Sequence, residues 1–241
     1  MKISIIGSDS LARVIRECCS AHFDLGELGR DLIWFCEDTP IENDEPKNEE
    51  IYCQIARVAH VALCTPGIPI LISSQIPVGT IARLEEEFPA VPFAYSPENI
   101  RVAHGVADFS NQSRVVVGRR DGRFDDLWRS LFAPFTNNLI LTDPETAECC
   151  KHALNCWLGM TIAYSNEIAK FCKAVGADPT TVSKALLAER RISPHAPMKP
   201  GAPYGGGHLA RDIYTVNQIA RWHNLQLPII SHIKESNEGT S

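Results

Sequence analysis

Long hydrophobic runs are missing from this sequence, since none approaches the ~20 apolar residues of a transmembrane helix. The opening residues, Met1 to Gly7, turn polar too soon for a signal peptide and are typical of a β-strand. Positive charge is also scarce: the formal net charge is −6 at pH 7, which argues against nucleic acid or an anionic membrane as the main partner. We therefore expect neither a membrane nor a nucleic acid among the partners.

Cysteine pairs at metal-binding spacing are missing as well. The sequence has nine cysteines, yet none forms a Cys-x-x-Cys pair, and most lie in apolar contexts where a free thiol packs as a small hydrophobic group. An odd count without a spacing pattern indicates reduced thiols rather than a disulfide framework. These features predict a cytoplasmic protein without a metal site.

Short apolar strands alternate with segments of helical spacing through the first part of the chain. This pattern predicts an α/β fold with a reduced, Rossmann-like and mostly parallel sheet. The predicted strands are 2–7, 31–36, 70–74, 92–99, 115–118 and 139–141, and the predicted helices between them are 8–20, 51–62, 80–87 and 121–132. An acidic loop is expected over 41–50.

From Thr142 the pattern becomes helical. A helix from Ala147 to Ala174 is followed by Gly176 as a C-terminal cap, and further helices are predicted over 178–187, 212–223 and 228–235. Because a helix this long usually packs against a partner chain or another long helix, we expect an all-α dimerisation domain and a homodimer formed through residues 143–175. The predicted organisation is a Rossmann-like domain over 1–141, the helical domain over 142–235 and a polar tail over 236–241.

The turn after the first strand departs from the dinucleotide-binding fingerprint G-x-G-x-x-G. The chain has Gly7-Ser8-Asp9-Ser10-Leu11-Ala12, so the first glycine is present and Ala12 is a permitted third position. The middle glycine, where the backbone must approach a pyrophosphate, is Asp9. An acid adds bulk there and repels phosphate, so the turn is a weak phosphate site.

A glycine-rich stretch, Lys199 to Asp212, runs into the start of a helix. It contains Tyr204-Gly205-Gly206-Gly207 and then the polar side chains His208, Arg211 and Asp212. Glycine lets a backbone come close to a ligand and reach positive φ. The stretch is therefore either a tight turn between domains or a substrate-facing loop.

Several stretches, in this order, resemble the UDP-glucose/GDP-mannose dehydrogenase family. They are Cys36-Glu37-Asp38-Thr39-Pro40, Ser74-Gln75-Ile76-Pro77-Val78-Gly79-Thr80, Ser96-Pro97-Glu98-Asn99-Ile100-Arg101, Arg114-Val115-Val116-Val117-Gly118, Lys151-His152-Ala153-Leu154-Asn155, Asn166-Glu167-Ile168-Ala169, Arg191-Ile192 and the loop from Pro200 to Asp212. The family oxidises a nucleotide sugar's hydroxymethyl group to a carboxylate with two NAD molecules. The resemblance implies NAD or NADP as cofactor and a sugar or nucleotide sugar as small-molecule ligand.

The resemblance also assigns site residues. It implies cofactor contacts for Gly7, Ser8, Thr39, Pro40, Ser74 and Gln75, catalytic roles for Glu98, Lys151, Asn155, His208 and Asp212, and a substrate loop with Tyr204, Gly205, Gly206, Gly207 and Arg211. Lys151 and Asn155 lie at i and i+4 of the long helix, so both point to one side.

The departures from the family pattern bear directly on its chemistry. The family's nucleophilic cysteine in the glycine loop is His208, and imidazole does not readily replace a thiolate in that reaction. The motif's Pro and Lys are Ala210 and Arg211, the catalytic Thr is Gln75, and the second acid is Val102. Two strands of the family's sheet and its C-terminal nucleotide-binding domain are expected to be missing from this chain.

Two functions follow as alternatives. The first is an NAD(P)-linked oxidoreductase on a CH–OH group, limited to one hydride transfer. Lys151 would be its acid/base or its oxyanion group, supported by Asn155 and Asp212, and His208 would be a replacement proton carrier. The second is a catalytically inactive homologue that acts as a dimeric binding or regulatory subunit. Each retained residue also has a structural explanation. Lys151 could be a solvated charge, Asn155 a link between helices, His208 a helix cap and Glu98 a turn cap.

Overall fold

The structure is a computed structural model that describes residues 1–26, 31–42, 45–98, 100, 104–205 and 207–239. Its internal contacts divide the chain into two units. The first comprises Met1–Pro40 and Lys47–Lys151, and the second comprises Ile41–Pro46 and His152–Ser241. The division falls inside the long helix α6 (Pro144–Ala174), while the organisation predicted from the sequence, with a boundary before residue 142, stays a prediction.

The described part of the first unit contains a seven-stranded sheet with the order β2-β1-β3-β6-β7-β8-β9. Its strands are β1 (Lys2–Ile6), β2 (Asp24–Leu25), β3 (Leu32–Phe35), β6 (Ile70–Ile72), β7 (Phe93–Tyr95), β8 (Val115–Arg119) and β9 (Leu139–Thr142). Every neighbouring pair is parallel except β7 and β8, which run antiparallel. The predicted α/β fold with a mostly parallel sheet is confirmed.

The strands read as continuous apolar runs because both faces of the sheet are covered. In β3, Leu32 and Trp34 pack into a core that includes buried residues of α1 (Ser10–Ser20). The alternate residues Ile33 and Phe35 pack on the other side with residues of α2 (Asn48–Ala62). The remaining helices of this unit are α3 (Thr80–Glu87), α4 (Gly105–Ser110), α5 (Asp125–Phe132) and the first turns of α6.

Four elements differ from the sequence-based expectation. The segment 21–30 is expected only to connect α1 with β3, yet Asp24–Leu25 forms β2, because the amides of Asp24 and Gly26 donate to the carbonyls of Met1 and Ile3 along the outer side of β1. The expected acidic loop contains an antiparallel pair, β4 (Ile41–Glu42) and β5 (Glu45–Pro46). Helix α4 is not foreseen from the sequence.

The second unit is helical apart from that strand pair. It contains the remainder of α6, α7 (Pro179–Leu187), α8 (Gly207–Trp222), α9 (Pro228–Ser231) and α10 (Ile233–Glu238). Helix α8 begins at Gly207 instead of Asp212, and α10 takes in the start of the expected polar tail. Within the described ranges, no helix is both long enough and apolar enough to span a bilayer.

Candidate functional site

Most of the residues assigned to cofactor binding lie where the parallel strands of the first unit end. Gly7 and Ser8 follow β1, Thr39 and Pro40 follow β3 after a few residues, and Ser74 and Gln75 come soon after β6. From β1 the sheet continues to β2 on one side and to β3 on the other. In open α/β sheets, ligands bind outside the carboxyl ends of the strands at such a switch point.

Gly7 is required by packing at this edge, whether or not a ligand binds. Its φ is 153°, and a Cβ atom there would lie 2.8 Å from the carbonyl oxygen of Cys36 and 2.8 Å from the Cβ of Ala12. Its presence is therefore no evidence for a bound pyrophosphate.

Carboxylates of the chain itself accept the hydrogen bonds of this turn. Glu37 accepts from the backbone amide of Ser8 at 2.5 Å and from its hydroxyl at 2.7 Å. Asp9 caps α1 by accepting from the amide of Ala12 at 2.9 Å, and it also accepts from the amide of Asp38. A pyrophosphate needs such amides free and repels carboxylates, so the residues present do not fit NAD at this turn.

The other predicted cofactor residues link strand ends to one another. The buried hydroxyl of Thr39 donates to the carbonyl oxygen of Gln75, and Ser74 donates to the carbonyl oxygen of Glu37 at 2.5 Å. These side chains brace the edge of the sheet.

Lys151 lies at the same edge, near the segment that follows β7. Its side chain is buried, with 8% of the residue exposed, and its Nζ donates to the carbonyl oxygen of Glu98 at 2.5 Å. Glu98 is also buried. The alternative of a solvated surface charge is therefore wrong for Lys151.

Sequence reasoning missed a further buried ionisable residue in this unit, Glu148 on α6. Its carboxylate is fully buried and accepts from the amides of Gly79 at 2.7 Å and Ile81 at 3.0 Å, so it caps the start of α3. Burial raises the pKa of Glu148 to about 7, against the lowering effect of the two amides. No local motif signals this role, because the cap and its helix are far apart in sequence.

In the second unit, Asp212 is the centre of a buried polar cluster. Its Oδ1 lies 2.6 Å from Nδ1 of His152, and its Oδ2 accepts from the side-chain amide of Asn155 at 2.5 Å. All three residues are buried. His152 was not among the predicted site residues, although its i, i+3 spacing to Asn155 is a signal that both lie on one face of α6.

His208 occupies a different environment, in the first turn of α8. It is exposed, and its Nδ1 lies 3.2 Å from Nη2 of the buried Arg211. Because a guanidinium only donates, Nδ1 accepts, and a neutral imidazole then carries its proton on Nε2.

Two asparagine side chains clamp the backbone before the glycines. Asn166 accepts from the amide of Gly201 at 2.9 Å and donates to the carbonyl of Ala202 at 3.3 Å. Asn237 accepts from the amide of Tyr204 at 2.9 Å and donates to its carbonyl at 3.2 Å. Both kinds of backbone hydrogen-bonding group in this loop, amide N–H and carbonyl oxygen, are therefore held by side chains.

The glycines of the loop have unequal surroundings. A Cβ on Gly207 would lie 2.4 Å from Cδ1 of Ile41, so the Ile41 side chain would have to shift, whereas a Cβ on Gly205 would meet nothing within 4 Å. Gly206 lies outside the described residues. Among the residues that the structure does describe, no group of three or more His, Cys, Asp or Glu side chains could hold a metal ion.

Comparison with known proteins decides the family. A model described as "UDP-glucose/GDP-mannose dehydrogenase family, central domain" matches residues 145–239. A UDP-glucose 6-dehydrogenase of Bacillus subtilis is 32% identical over 207 residues, which cover 82% of this chain and 46% of the relative. The chain belongs to the UDP-glucose/GDP-mannose dehydrogenase family. It spans less than half the length of the first curated relatives that it matches.

Solved structures show the same fold. A UDP-glucose dehydrogenase from Pyrobaculum islandicum superposes with a TM-score of 0.85 at 18% identity, covering 99% of this chain and 68% of that one. A 3-hydroxyisobutyrate dehydrogenase from Mycobacterium tuberculosis superposes with a TM-score of 0.74 at 13% identity, covering 97% and 91%.

The predicted departures from the family motif in the glycine loop stay predictions. His208, predicted to stand where the motif has its cysteine, lies on the surface beside Arg211. Asp212, the last residue of the motif, is retained and buried.

Proposed function

We propose that this chain is a catalytically inactive family member that binds a sugar or nucleotide sugar as a dimeric binding or regulatory protein. The observation that carries the proposal is the environment of His208, an exposed imidazole whose Nδ1 accepts from Arg211. The family's oxidation to an acid passes through a covalent adduct with a thiolate. A surface imidazole supplies no such nucleophile, so the alcohol-to-acid oxidation should be lost.

Ligand binding is supported by the hydrogen bonds that hold the loop before the glycines in the second unit. The loop before the glycines is held by Asn166 and Asn237, so little conformational entropy remains to be lost there when a ligand binds. The cluster of His152, Asn155 and Asp212 joins α6 to α8, the helix that follows the loop. A loop held at these points, with polar side chains at its end, suits a ligand rich in hydroxyl groups, such as the sugar part of a nucleotide sugar.

A homodimer is supported by the surface of α6. Three aromatic residues recur at every seventh position and are exposed: Trp157 at 42%, Tyr164 at 47% and Phe171 at 64%. We call them the α6 stripe. A spacing of seven keeps side chains near one face of a helix, and exposed aromatic patches of this kind are typical of protein interfaces. We infer that a second copy of the chain covers the stripe.

The predicted cytoplasmic location is supported by the thiols. All nine cysteines are free, as expected for a reducing compartment.

Calorimetry with UDP-glucose tests the binding function. We expect a binding isotherm for the wild-type chain and no reduction of NAD by the same mixture. Asn237→Ala frees the Tyr204 backbone and should weaken binding about tenfold, because the ordering cost then falls on the ligand. Asn137→Ala, at an exposed asparagine, is the matched control and should bind as the wild type does. Absence of UDP-glucose binding would refute the proposed function.

The second candidate is an oxidoreductase limited to one hydride transfer. It is favoured by the buried Lys151, which lies with its Nζ on the Glu98 carbonyl at the ligand-binding edge of the sheet. It ranks second because the turn after β1 does not fit a dinucleotide. Turnover of NAD that is lost in Lys151→Ala would establish this function instead of the first.

A further inference from the structure

We propose that Glu37 and Asp9 are the residues that exclude a dinucleotide from the first unit, because their carboxylates take the place of its pyrophosphate. The proposal concerns only the turn after β1. It holds whether or not the second unit binds a sugar.

The hydrogen-bond donors of the turn after β1 are bound by side chains of the chain itself. A phosphate at this position of a parallel sheet is held by backbone amides of the turn and by the start of the following helix. Here the Ser8 amide and hydroxyl are bound by Glu37, and the Ala12 amide, in the first turn of α1, is bound by Asp9. The chain therefore meets the hydrogen-bonding needs of the turn with its own anions.

The charges around this turn also disfavour a pyrophosphate. Three acidic residues lie at this turn: Asp9, Glu37 and Asp38. The Glu37 carboxylate accepts from the Ser8 amide, and the Asp9 carboxylate accepts from the Asp38 amide. The nearby cation, Arg16, donates to the carbonyl oxygens of Ile5 and Gly7 at 3.1 and 2.5 Å. A pyrophosphate would have to displace one carboxylate and remain close to the others. The repulsion between these negative charges disfavours its binding.

Removal of the carboxylates should then reopen the phosphate site. Asp9→Gly makes the turn match G-x-G-x-x-A, and α1 should tolerate it because glycine is among the preferred N-cap residues. Glu37→Ala frees the amide and hydroxyl of Ser8, whereas Glu37→Gln removes the charge but keeps an acceptor. Glu17→Gln, an exposed acid on α1, is the control for the one-unit change in net charge that Glu37→Gln makes; the double variant changes the net charge by two.

The experiment is a titration of the full chain with inorganic pyrophosphate and with NADH. Calorimetry measures binding, and the amide NMR signals of Ser8 and Ala12 show whether it occurs at this turn. We expect no saturable shift in the wild type or in Glu17→Gln. The double variant Asp9→Gly with Glu37→Ala should bind at least tenfold more tightly than the wild type, with shifts at both amides and with Glu37→Gln in between. Circular dichroism establishes that each variant is folded.

Two results would overturn the proposal. One is wild-type binding of NADH with shifts at Ser8 and Ala12, which would show that the carboxylates do not exclude the ligand. The other is a folded double variant that gains no affinity, or a gain of equal size in Glu17→Gln. UDP-glucose binding is measured on the same samples, so a failure of the proposed sugar site is seen separately.

Discussion

The fully buried carboxylate of Glu148 accepts a 2.7 Å hydrogen bond from the backbone amide of Gly79, at the start of helix α3. An ionised carboxylate suits this position because helix amides carry partial positive charge. Burial opposes ionisation more strongly and raises the pKa of Glu148 to about 7. The stability of the first unit should therefore depend on pH in the physiological range.

The sign of that dependence follows from linkage. The pKa of Glu148 rises from 4.5 to about 7 on folding, so its favourable contribution is complete below pH 4.5 and is lost as the pH passes through 7. We expect the free energy of unfolding to fall by about 2–3 kcal/mol over this range, and Glu148→Gln to remove the fall. Urea denaturation at a series of pH values measures it.

Glu145, one turn earlier on α6, provides the contrasting control. Its ion pair with Arg120 lowers the pKa of its carboxyl, so its contribution is lost as the pH falls, not as it rises. Glu145→Gln should leave the fall between pH 4.5 and 7 in place. An unchanged pH profile in Glu148→Gln would contradict the assignment.

Asp212 and His208 lie one turn apart on α8 but should differ sharply in their effect on stability. Asp212→Ala leaves the buried polar groups of His152 and Asn155 without their carboxylate, and we expect a loss of about 2–4 kcal/mol. His208→Ala changes an exposed side chain and should cost less than about 1 kcal/mol. Equal midpoints in urea denaturation would contradict the buried cluster.

Gly7 and Gly205 form a matched pair for testing backbone demands. Gly7→Ala places a Cβ 2.8 Å from the backbone oxygen of Cys36 at a φ of 153°, so we expect destabilisation of about 2–4 kcal/mol. Gly205→Ala meets nothing within 4 Å and should change stability by less than about 1 kcal/mol. Thermal denaturation of both variants provides the comparison, and a stable Gly7→Ala would show that the turn is looser than described.

The α6 stripe should control association of the chain. Phe171→Glu and Tyr164→Glu put charges on exposed aromatic positions, and burying either unpaired charge in an interface is unfavourable, so we expect the dimer to dissociate. Val61→Glu, at a position of α2 that is 51% exposed, is the control and should remain dimeric. Light scattering reports the mass, and a monomeric wild type would refute the dimer.

Much of the fold could be predicted because its signal is local. Strands such as Val115–Arg119 are buried on both faces, so they appear in the sequence as apolar runs bounded by polar residues. The strand Asp24–Leu25 has no such signal. It forms because the outer edge of β1 offers unpaired backbone groups, and this depends on tertiary structure.

The roles of the candidate site residues stay predictions, although the structure shows where several of them lie. The resemblance indicated Lys151, Asn155 and Asp212, and the structure buries all three. The sequence also indicated that Asp9 disfavours phosphate. It could not show that Glu37 reaches Ser8 or that Glu148 reaches Gly79, because these contacts join residues 29 and 69 positions apart.

Neither unit is a continuous segment of the chain. The first turns of α6 belong to the first unit, where Ala147 packs in its core, and the strand pair Ile41–Pro46 belongs to the second. If the chain were divided at residue 141, the sheet would lose part of its core and the Glu148 cap of α3. The helical half would lose the strand pair Ile41–Pro46. Neither half of a chain divided there would hold all the residues of one unit.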